Sequence, residues 1–162
     1  MGNSRVLNVS PLILLAKAQV IHLVLRVCEP LVIPEVTLQE VRVGKMSDAG
    51  RAWLEGERSV FVKKSGPIPS AISRFGLGLG ETQVLAWTME NTGFEGVLDD
   101  LKARRCAKQL NLPIIGSLRV LIILKEQGLI PSVQPAIDHF RGAGSYFSEA
   151  LIQETLKLAG EN

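Results

Sequence analysis

Short, continuous apolar runs alternate along the chain with longer segments in which apolar residues recur every three or four positions. Continuous runs are typical of strands buried on both faces, and the longer period is typical of amphipathic helices. The runs predict strands at 5–9, 31–34, 59–64, 96–100 and 112–117. The remaining segments predict helices at 11–28, 34–44, 47–56, 81–93, 101–111, 118–128, 133–142 and 148–159. Strands that alternate with helices from end to end predict an α/β fold, with a parallel sheet covered by helices on both faces.

Local signals refine these boundaries. Ser10 is expected to cap the first helix, with Pro11 as its first helical residue, and Ser117 is expected to cap the helix at 118–128. The region 65–80 is rich in Gly, Pro and Ser, so it is expected to form a loop.

Composition limits the size and the partners of the protein. A chain of 162 residues, with 46% hydrophobic and 21% charged residues, is expected to form one domain over 1–162. Aromatic residues make up only 5% of the chain, so aliphatic side chains must build its core. A net charge of +2 permits a nucleic-acid partner without requiring one.

The cysteines and histidines are too few and too scattered for a zinc site, and they argue against a Ser–His–Asp hydrolase. Cys28 and Cys106, both in predicted helices, are interpreted as reduced thiols packed as small hydrophobic residues. The apolar N-terminal stretch contains Lys17 and Arg26 and has no run approaching the ~20 residues of a membrane span. We therefore expect a cytoplasmic protein without a membrane segment.

Polar residues follow the predicted strands where the chain leaves the sheet. Asn8 lies at the end of the first strand, and Asp99 and Asp100 end the fourth. Because ligands of parallel sheets bind at the carboxyl ends of strands, these positions are candidates for a site.

Two glutamates join this set through their helical phase. Glu81 begins an inward stripe at a helix N-terminus, and Glu40 is in phase with Val36 and Val43 on its own helix. Most other acids, Glu161 among them, are expected to be solvated.

The candidates offer oxygen ligands without His or Cys, a set that suits Mg²⁺ or Mn²⁺. Each residue also has a structural interpretation. Asn8 is then a turn residue, Glu81 stabilises its helix N-terminus, and Asp100 caps the following helix. The stretch "GLGLGE" at 76–81 weakly resembles a dinucleotide-binding loop, but its glycines are better explained as a turn into the helix of Glu81.

Four motifs in order resemble the PIN-domain family, and they are most similar to its VapC-like toxin branch. They are "LNVSPLILLAKAQ", "VIPEVTLQEV", "GLGLGETQVLAWTMEN" and "VLDDLKARRCAKQLNLPIIGSLRVLIILKEQGLI". The resemblance implies a three-layer α/β/α fold and a ribonuclease dependent on Mg²⁺ or Mn²⁺. It also implies a possible antitoxin partner and a homodimer.

Carried over by position, the acids of the family fall on Asn8, Glu40, Glu81 and either Asp99 or Asp100. Ser10 and Ser117 match hydroxyl residues beside the site. Asn8 departs from the usual Asp. Its amide oxygen can ligate a cation but brings no charge, which puts full activity in doubt.

The resulting hypothesis is an endoribonuclease in which a metal held by these residues activates water. Lys102, Arg104 and Arg105, with Lys108, follow the acids on one helix and are candidate contacts for the RNA backbone, or simply a solvated basic face. The alternatives are a PIN-like module that binds RNA or a protein without effective chemistry, and a phosphate- or nucleotide-binding domain.

Overall fold

The computed structural model describes residues 3–42, 48–56, 61–142 and 147–162, with the backbone alone at 38, 40–42, 48 and 49. Its five strands form one parallel sheet in the order β3-β2-β1-β4-β5. The strands are β1 (Asn3–Leu7), β2 (Cys28–Pro34), β3 (Val62–Lys63), β4 (Glu95–Val97) and β5 (Ile114–Ile115). The helices are α1 (Val9–Lys17), α2 (Val24–Val27), α3 (Glu35–Arg42), α4 (Asp48–Glu55), α5 (Ser70–Ser73), α6 (Leu79–Glu90), α7 (Leu101–Gln109), α8 (Ser117–Glu126), α9 (Gln134–Gly142) and α10 (Glu149–Leu158), with a 3₁₀ turn at Ile21–Leu23.

Adjacent strand residues face two different cores, which explains the continuous apolar runs. Leu7 and Val97 belong to a core that includes residues of α1, α4, α8, α9 and α10. Val6 and Leu98 belong to a second core, with residues of α5, α6 and α7. The predicted three-layer α/β/α architecture is therefore confirmed.

The strand order reverses between β1 and β4. The chain adds β2 and β3 on one side of β1, and then crosses over to add β4 and β5 on the other side. Leu7 pairs with Val97 in the register of β1 and β4, and the Asn8 amide N–H reaches the Val97 carbonyl at 3.4 Å. Ligands of parallel sheets bind at such a reversal, outside the carboxyl ends of the strands.

A buried ion pair joins β1 to β4 at the other end of these strands. Arg5 is 3% exposed and donates through Nε to Glu95 Oε1 at 2.8 Å. Its Nη1 also donates to the carbonyl of Val27, the last residue of α2. Arg5 lies inside the apolar run at 5–9, so the pair cannot be predicted from the apolar pattern; Glu95 satisfies the Arg5 charge inside the sheet.

The single helix predicted at 11–28 is wrong. Helix α1 ends at Lys17, Gln19 adopts a left-handed φ of 61°, and Cys28 begins β2 instead of ending a helix. Both Cys28 and Cys106 are buried free thiols, as predicted. Within the described ranges, no single helix is long and apolar enough to cross a membrane. The segments Val9–Lys17 and Ile21–Val27 pass that test only as a pair, bent by 115°.

The predicted caps are also wrong. Helix α1 begins at Val9, so Ser10 lies inside the helix and Asn8 takes the N-cap position. Gly116 takes the N-cap position of α8, and Ser117 is its first helical residue. The Ser117 hydroxyl, which does not cap α8, donates instead to Asp99 across the carboxyl edge of the sheet.

Candidate functional site

The carboxyl edge of the sheet brings together residues that lie far apart in the chain. Asn8 follows β1, Asp99 and Asp100 follow β4, and Ser117 follows β5. Glu81 reaches the same edge from the first turn of α6, a helix that packs against β1 and β4. The site is thus built where the strand order reverses.

Asn8 and Glu81 are in direct contact. Asn8 Nδ2 donates to Glu81 Oε1 at 3.3 Å. Asn8 is 2% exposed, and its Oδ1 is buried without a hydrogen-bond partner in the described part of the protein. A buried amide oxygen without a partner costs about 1–3 kcal/mol of stability, so the site holds an acceptor that a ligand could satisfy.

The glycines before α6 have separate structural roles. Gly76 has a left-handed φ of +63°, which glycine adopts without strain. A Cβ added at Gly78, the N-cap residue of α6, would lie 2.5 Å from Glu81 Oε2. The chain therefore turns into the helix of Glu81 at these glycines, as the preferred interpretation of "GLGLGE" predicted, and Gly78 also makes room for the Glu81 carboxylate.

Asp99 is held by the first residue of α8. Its Oδ1 accepts from the Ser117 amide N–H at 2.7 Å, and its Oδ2 accepts from Ser117 Oγ at 2.5 Å. Burial raises the pKa of Asp99, whereas the two bonds from Ser117 and the charge of Arg104 oppose this rise. Asp99 thus joins the ends of β4 and β5 and has both carboxylate oxygens engaged.

Asp100 has a different environment. Its side chain is exposed, and Oδ2 accepts from the Ala103 amide N–H at 2.9 Å. This contact caps α7, so the predicted structural role of Asp100 is confirmed. An N-cap bond uses only one carboxylate oxygen, and the other remains accessible to solvent or a ligand.

The basic side chains on α7 are not equivalent. Arg104 is half-buried and donates through Nη1 to the Leu98 carbonyl at 3.0 Å. Lys102 is exposed, with Nζ 3.4 Å from the Gly76 carbonyl, and Arg105 is exposed. Arg104 and Arg105 line a shallow concave surface with Lys108 and apolar residues up to Ile114.

The structure shows no contact between this cluster and the two other predicted site residues, Glu40 and Ser10, within the part of the chain that it describes. Glu40 lies on α3, which packs against α6, but its side chain lies outside the described residues. Ser10 is exposed on the first turn of α1.

The oxygen-rich edge suits a hard cation at one point. The Asn8 side chain contacts the Glu81 carboxylate through Nδ2, and its own Oδ1 is a buried acceptor without a partner in the described structure. Amide and carboxylate oxygens are ligand types that a hard cation takes. Among the side chains that the structure describes, no group of three or more His, Cys, Asp or Glu could hold a metal ion. Asn8 is not one of these residue types and the Glu40 side chain lies outside the described residues, so Asn8 and Glu81 are the candidate donors that the structure brings into contact.

A family model described as the PIN domain matches residues 4–161. No curated protein matches the chain. The match covers β2 to β5, all of β1 except Asn3, and every residue of the candidate site.

Proposed function

Because the chain belongs to the PIN-domain family, whose fold is of the nuclease type, we propose that it is a metal-dependent endoribonuclease that hydrolyses RNA phosphodiester bonds. The observation that carries this proposal is the buried, unpartnered Asn8 Oδ1 beside Glu81, at the strand-order reversal. Its position, its oxygen chemistry and the general dependence of PIN domains on divalent metals all favour a cation site.

In this proposal, Asn8 and Glu81 hold Mg²⁺ or Mn²⁺, with Glu40 and the Asp99–Asp100 pair completing the ligand set. A bound divalent cation would lower the pKa of a water molecule and stabilise negative charge on the phosphate. Glu81 is held in place by the Asn8 amide. Asp100 is the exposed acid, so its second oxygen can accept a hydrogen bond from an attacking water. Ser117 orients Asp99, and Ser10 is an exposed residue two positions after Asn8.

Further parts of the proposal rest on the composition of the sequence and on the resemblance of its motifs. We propose that the chain forms a single domain over 1–162, works in the cytoplasm, and dimerises. In the same way, we propose that it is the toxin of a toxin–antitoxin pair and binds an antitoxin protein. Lys102 and Arg105, exposed beside the acids, are proposed to contact the RNA backbone.

RNA cleavage by purified protein tests the enzyme. The wild type is incubated with structured and unstructured RNA in Mn²⁺ or in EDTA, beside Glu81→Gln and Asp100→Asn. Both variants keep the size of the side chain, and Glu154→Gln, on the exposed face of α10, is the matched control. Cleavage that needs Mn²⁺, survives in the control and is lost in both site variants supports the proposal. Equal cleavage in every preparation would identify a contaminating nuclease.

A second function, an RNA- or protein-binding module with weakened chemistry, is favoured by two observations. The residue that follows β1 is Asn8, which is neutral. Both carboxylate oxygens of Asp99 already accept hydrogen bonds from Ser117. Fewer negative charges weaken the attraction for a divalent ion. RNA binding that persists in EDTA, without cleavage under any metal condition, would favour this function over the nuclease.

A further inference from the structure

Three consecutive residues after β4, Leu98 to Asp100, are each held by hydrogen bonds to α7 or to the first residue of α8. The Leu98 carbonyl accepts from Arg104 Nη1 at 3.0 Å, and both Asp99 oxygens accept from Ser117. Asp100 caps the first turn of α7. The Leu98 amide is also paired, since it donates to the Ile115 carbonyl at 2.9 Å. The acidic segment is therefore fixed residue by residue.

Arg104, on α7, makes two hydrogen bonds to this segment. Its backbone N–H donates to the Asp100 carbonyl at 2.9 Å, and its side chain returns to the Leu98 carbonyl. One residue thus binds the carbonyls on both sides of Asp99. Such a double contact limits the freedom of the peptide units that carry the Asp99 side chain.

Gly116 shows how closely these groups are packed. A Cβ added there would lie 3.0 Å from Asp99 Oδ1, 3.2 Å from Arg104 Nη1 and 3.7 Å from the Leu98 carbonyl oxygen. The Asp99 carboxylate and the Arg104 guanidinium therefore both pack against Gly116. The backbone of Gly116, with φ at −103°, is open to other residues, so a side chain here would act by displacing these two groups and not by straining the backbone.

We propose that Arg104 is a positioning residue: its guanidinium holds the end of β4 so that Asp99 and Asp100 face the cation site, and it does not serve as an RNA contact. This inference rests on the proposed cation site. It separates Arg104 from its exposed neighbour Arg105, which is left to interact with the phosphate backbone. Residues that orient ligands commonly contribute about 10–100-fold to metal affinity.

The direction in which Mn²⁺ affinity changes in Arg104→Met distinguishes a positioning role of Arg104 from an effect of its charge alone. Arg104→Met keeps the length of the side chain but removes its charge and its donors. If Arg104 acted only through its charge, the variant would bind Mn²⁺ more tightly, because a cation would be lost beside a cation site. Positioning predicts the opposite, a loss of about tenfold in Mn²⁺ affinity. Arg105→Met is the matched control, since it changes the same charge on the next residue of α7 and should leave Mn²⁺ affinity unchanged.

Mn²⁺ affinity is measured by titrating the full chain and following free Mn²⁺ by electron paramagnetic resonance. RNA affinity is measured in EDTA with a labelled single strand. Arg105→Met should lower RNA affinity and its salt dependence by about one phosphate contact, and Arg104→Met should do so less. Unchanged or tighter Mn²⁺ binding in Arg104→Met, or an RNA loss equal to that of Arg105→Met, would overturn the inference.

Two further variants keep the inference testable if Arg104→Met does not fold. Arg104→Lys retains the charge and one donor, so it should recover part of the Mn²⁺ affinity. Gly116→Ala should lower Mn²⁺ affinity with Arg104 intact, because its Cβ displaces Arg104 and Asp99. Wild-type affinity in Gly116→Ala would count against the inference.

Amide hydrogen exchange provides a readout that needs no metal. The Ser117 amide N–H is bound to Asp99, so it should exchange faster in Arg104→Met than in Arg105→Met. If the wild type bound no Mn²⁺ and cut no RNA, the proposed function would fail, and this exchange rate would still decide the role of Arg104. Equal exchange rates in the two variants would contradict the positioning role of Arg104 without contradicting the proposed function.

Discussion

Asn8 donates one hydrogen bond to Glu81 from Nδ2, at 3.3 Å, while its Oδ1 lies buried with no partner in the described structure. The neutral amide can face the carboxylate without repulsion, whereas an Asp at this position would place a second negative charge against it. Asn8 thus allows this part of the site to form before a cation binds. Compared with an Asp, Asn8 also lowers the negative charge available to hold the proposed cation. Asn8 therefore favours the stability of the empty site but disfavours metal affinity.

Asn8→Asp should therefore be less stable than the wild type without metal and gain more from metal. In EDTA, the lost hydrogen bond and the new repulsion should lower the free energy of unfolding by about 1–3 kcal/mol. Mn²⁺ should restore most of that loss, because the added carboxylate binds the ion. Urea unfolding in EDTA and in Mn²⁺ measures both effects, with Asn162→Asp at the exposed chain end as the control. A variant equally stable with and without Mn²⁺ would show that Asn8 is not at a cation site.

Substitutions of Gly78 and Gly76 by Ala should have different effects, the first mainly on cleavage and the second mainly on stability. Gly78→Ala has an allowed φ of −62°, so it should cost less than about 1 kcal/mol, but its Cβ would displace the Glu81 carboxylate and reduce Mn²⁺-dependent cleavage. Gly76→Ala should cost about 1–2 kcal/mol through its left-handed φ, with little effect on cleavage by the folded protein. Thermal unfolding and initial cleavage rates test the pair. Loss of activity in proportion to stability in both variants would contradict the separation.

The layers of the fold could be predicted from the sequence because both faces of the sheet are buried. Val6 and Leu7 enter different cores, so their strand appears as a continuous apolar run. The break after α1 could not be predicted, because the turn at Gln19 uses a left-handed residue that is not glycine, and apolar periodicity continues through 20–27. Periodicity alone does not distinguish a long helix from two helical segments joined by a turn.

The site was predictable where it depended on strand ends and helical phase. These two rules placed Asn8 and Glu81 in one set, and their contact confirms that they meet. The link between Asp99 and Ser117 was not predictable, because it joins the ends of β4 and β5 through residues 18 positions apart in the chain. Glu161 was wrongly expected to be solvated, since its contacts come from residues about 30 positions away in the chain.

Glu161 should make the protein sensitive to acid. Burial disfavours its ionised form, but bonds from Lys125 Nζ at 2.7 Å, Ser132 Oγ at 2.6 Å and two backbone N–H groups outweigh burial and lower its pKa to about 2. The ordinary pKa is 4.5, so the ionised form is favoured by folding. The stability from Glu161 is therefore complete above pH 4.5 and is lost as the pH falls towards 2.

Glu161→Gln should lower the free energy of unfolding by about 1–3 kcal/mol at pH 7. The difference from the wild type should shrink between pH 4.5 and pH 2, because the wild-type carboxylate becomes protonated there. Urea unfolding across this pH range measures the difference, and Glu154→Gln on the exposed face of α10 is the control. A difference that stayed constant with pH would mean that Glu161 acts by packing and not by charge.

Although Asp99 and Asp100 are adjacent, their replacement by Asn should affect different properties. Asp99→Asn should lower stability, and Asp100→Asn should lower Mn²⁺-dependent cleavage. Asp100→Asn keeps a good N-cap, so its stability should stay within about 0.5 kcal/mol of the wild type. Its Mn²⁺-dependent cleavage should fall by at least about tenfold, because an exposed charge beside the cation is lost. Asp99→Asn leaves one oxygen to face the two donors of Ser117, so it should lose about 1–3 kcal/mol of stability. Urea unfolding and single-turnover cleavage, measured side by side, compare the two variants. Full cleavage in Asp100→Asn, together with a stable but inactive Asp99→Asn, would reverse the assignment and make the buried acid the one that acts on RNA.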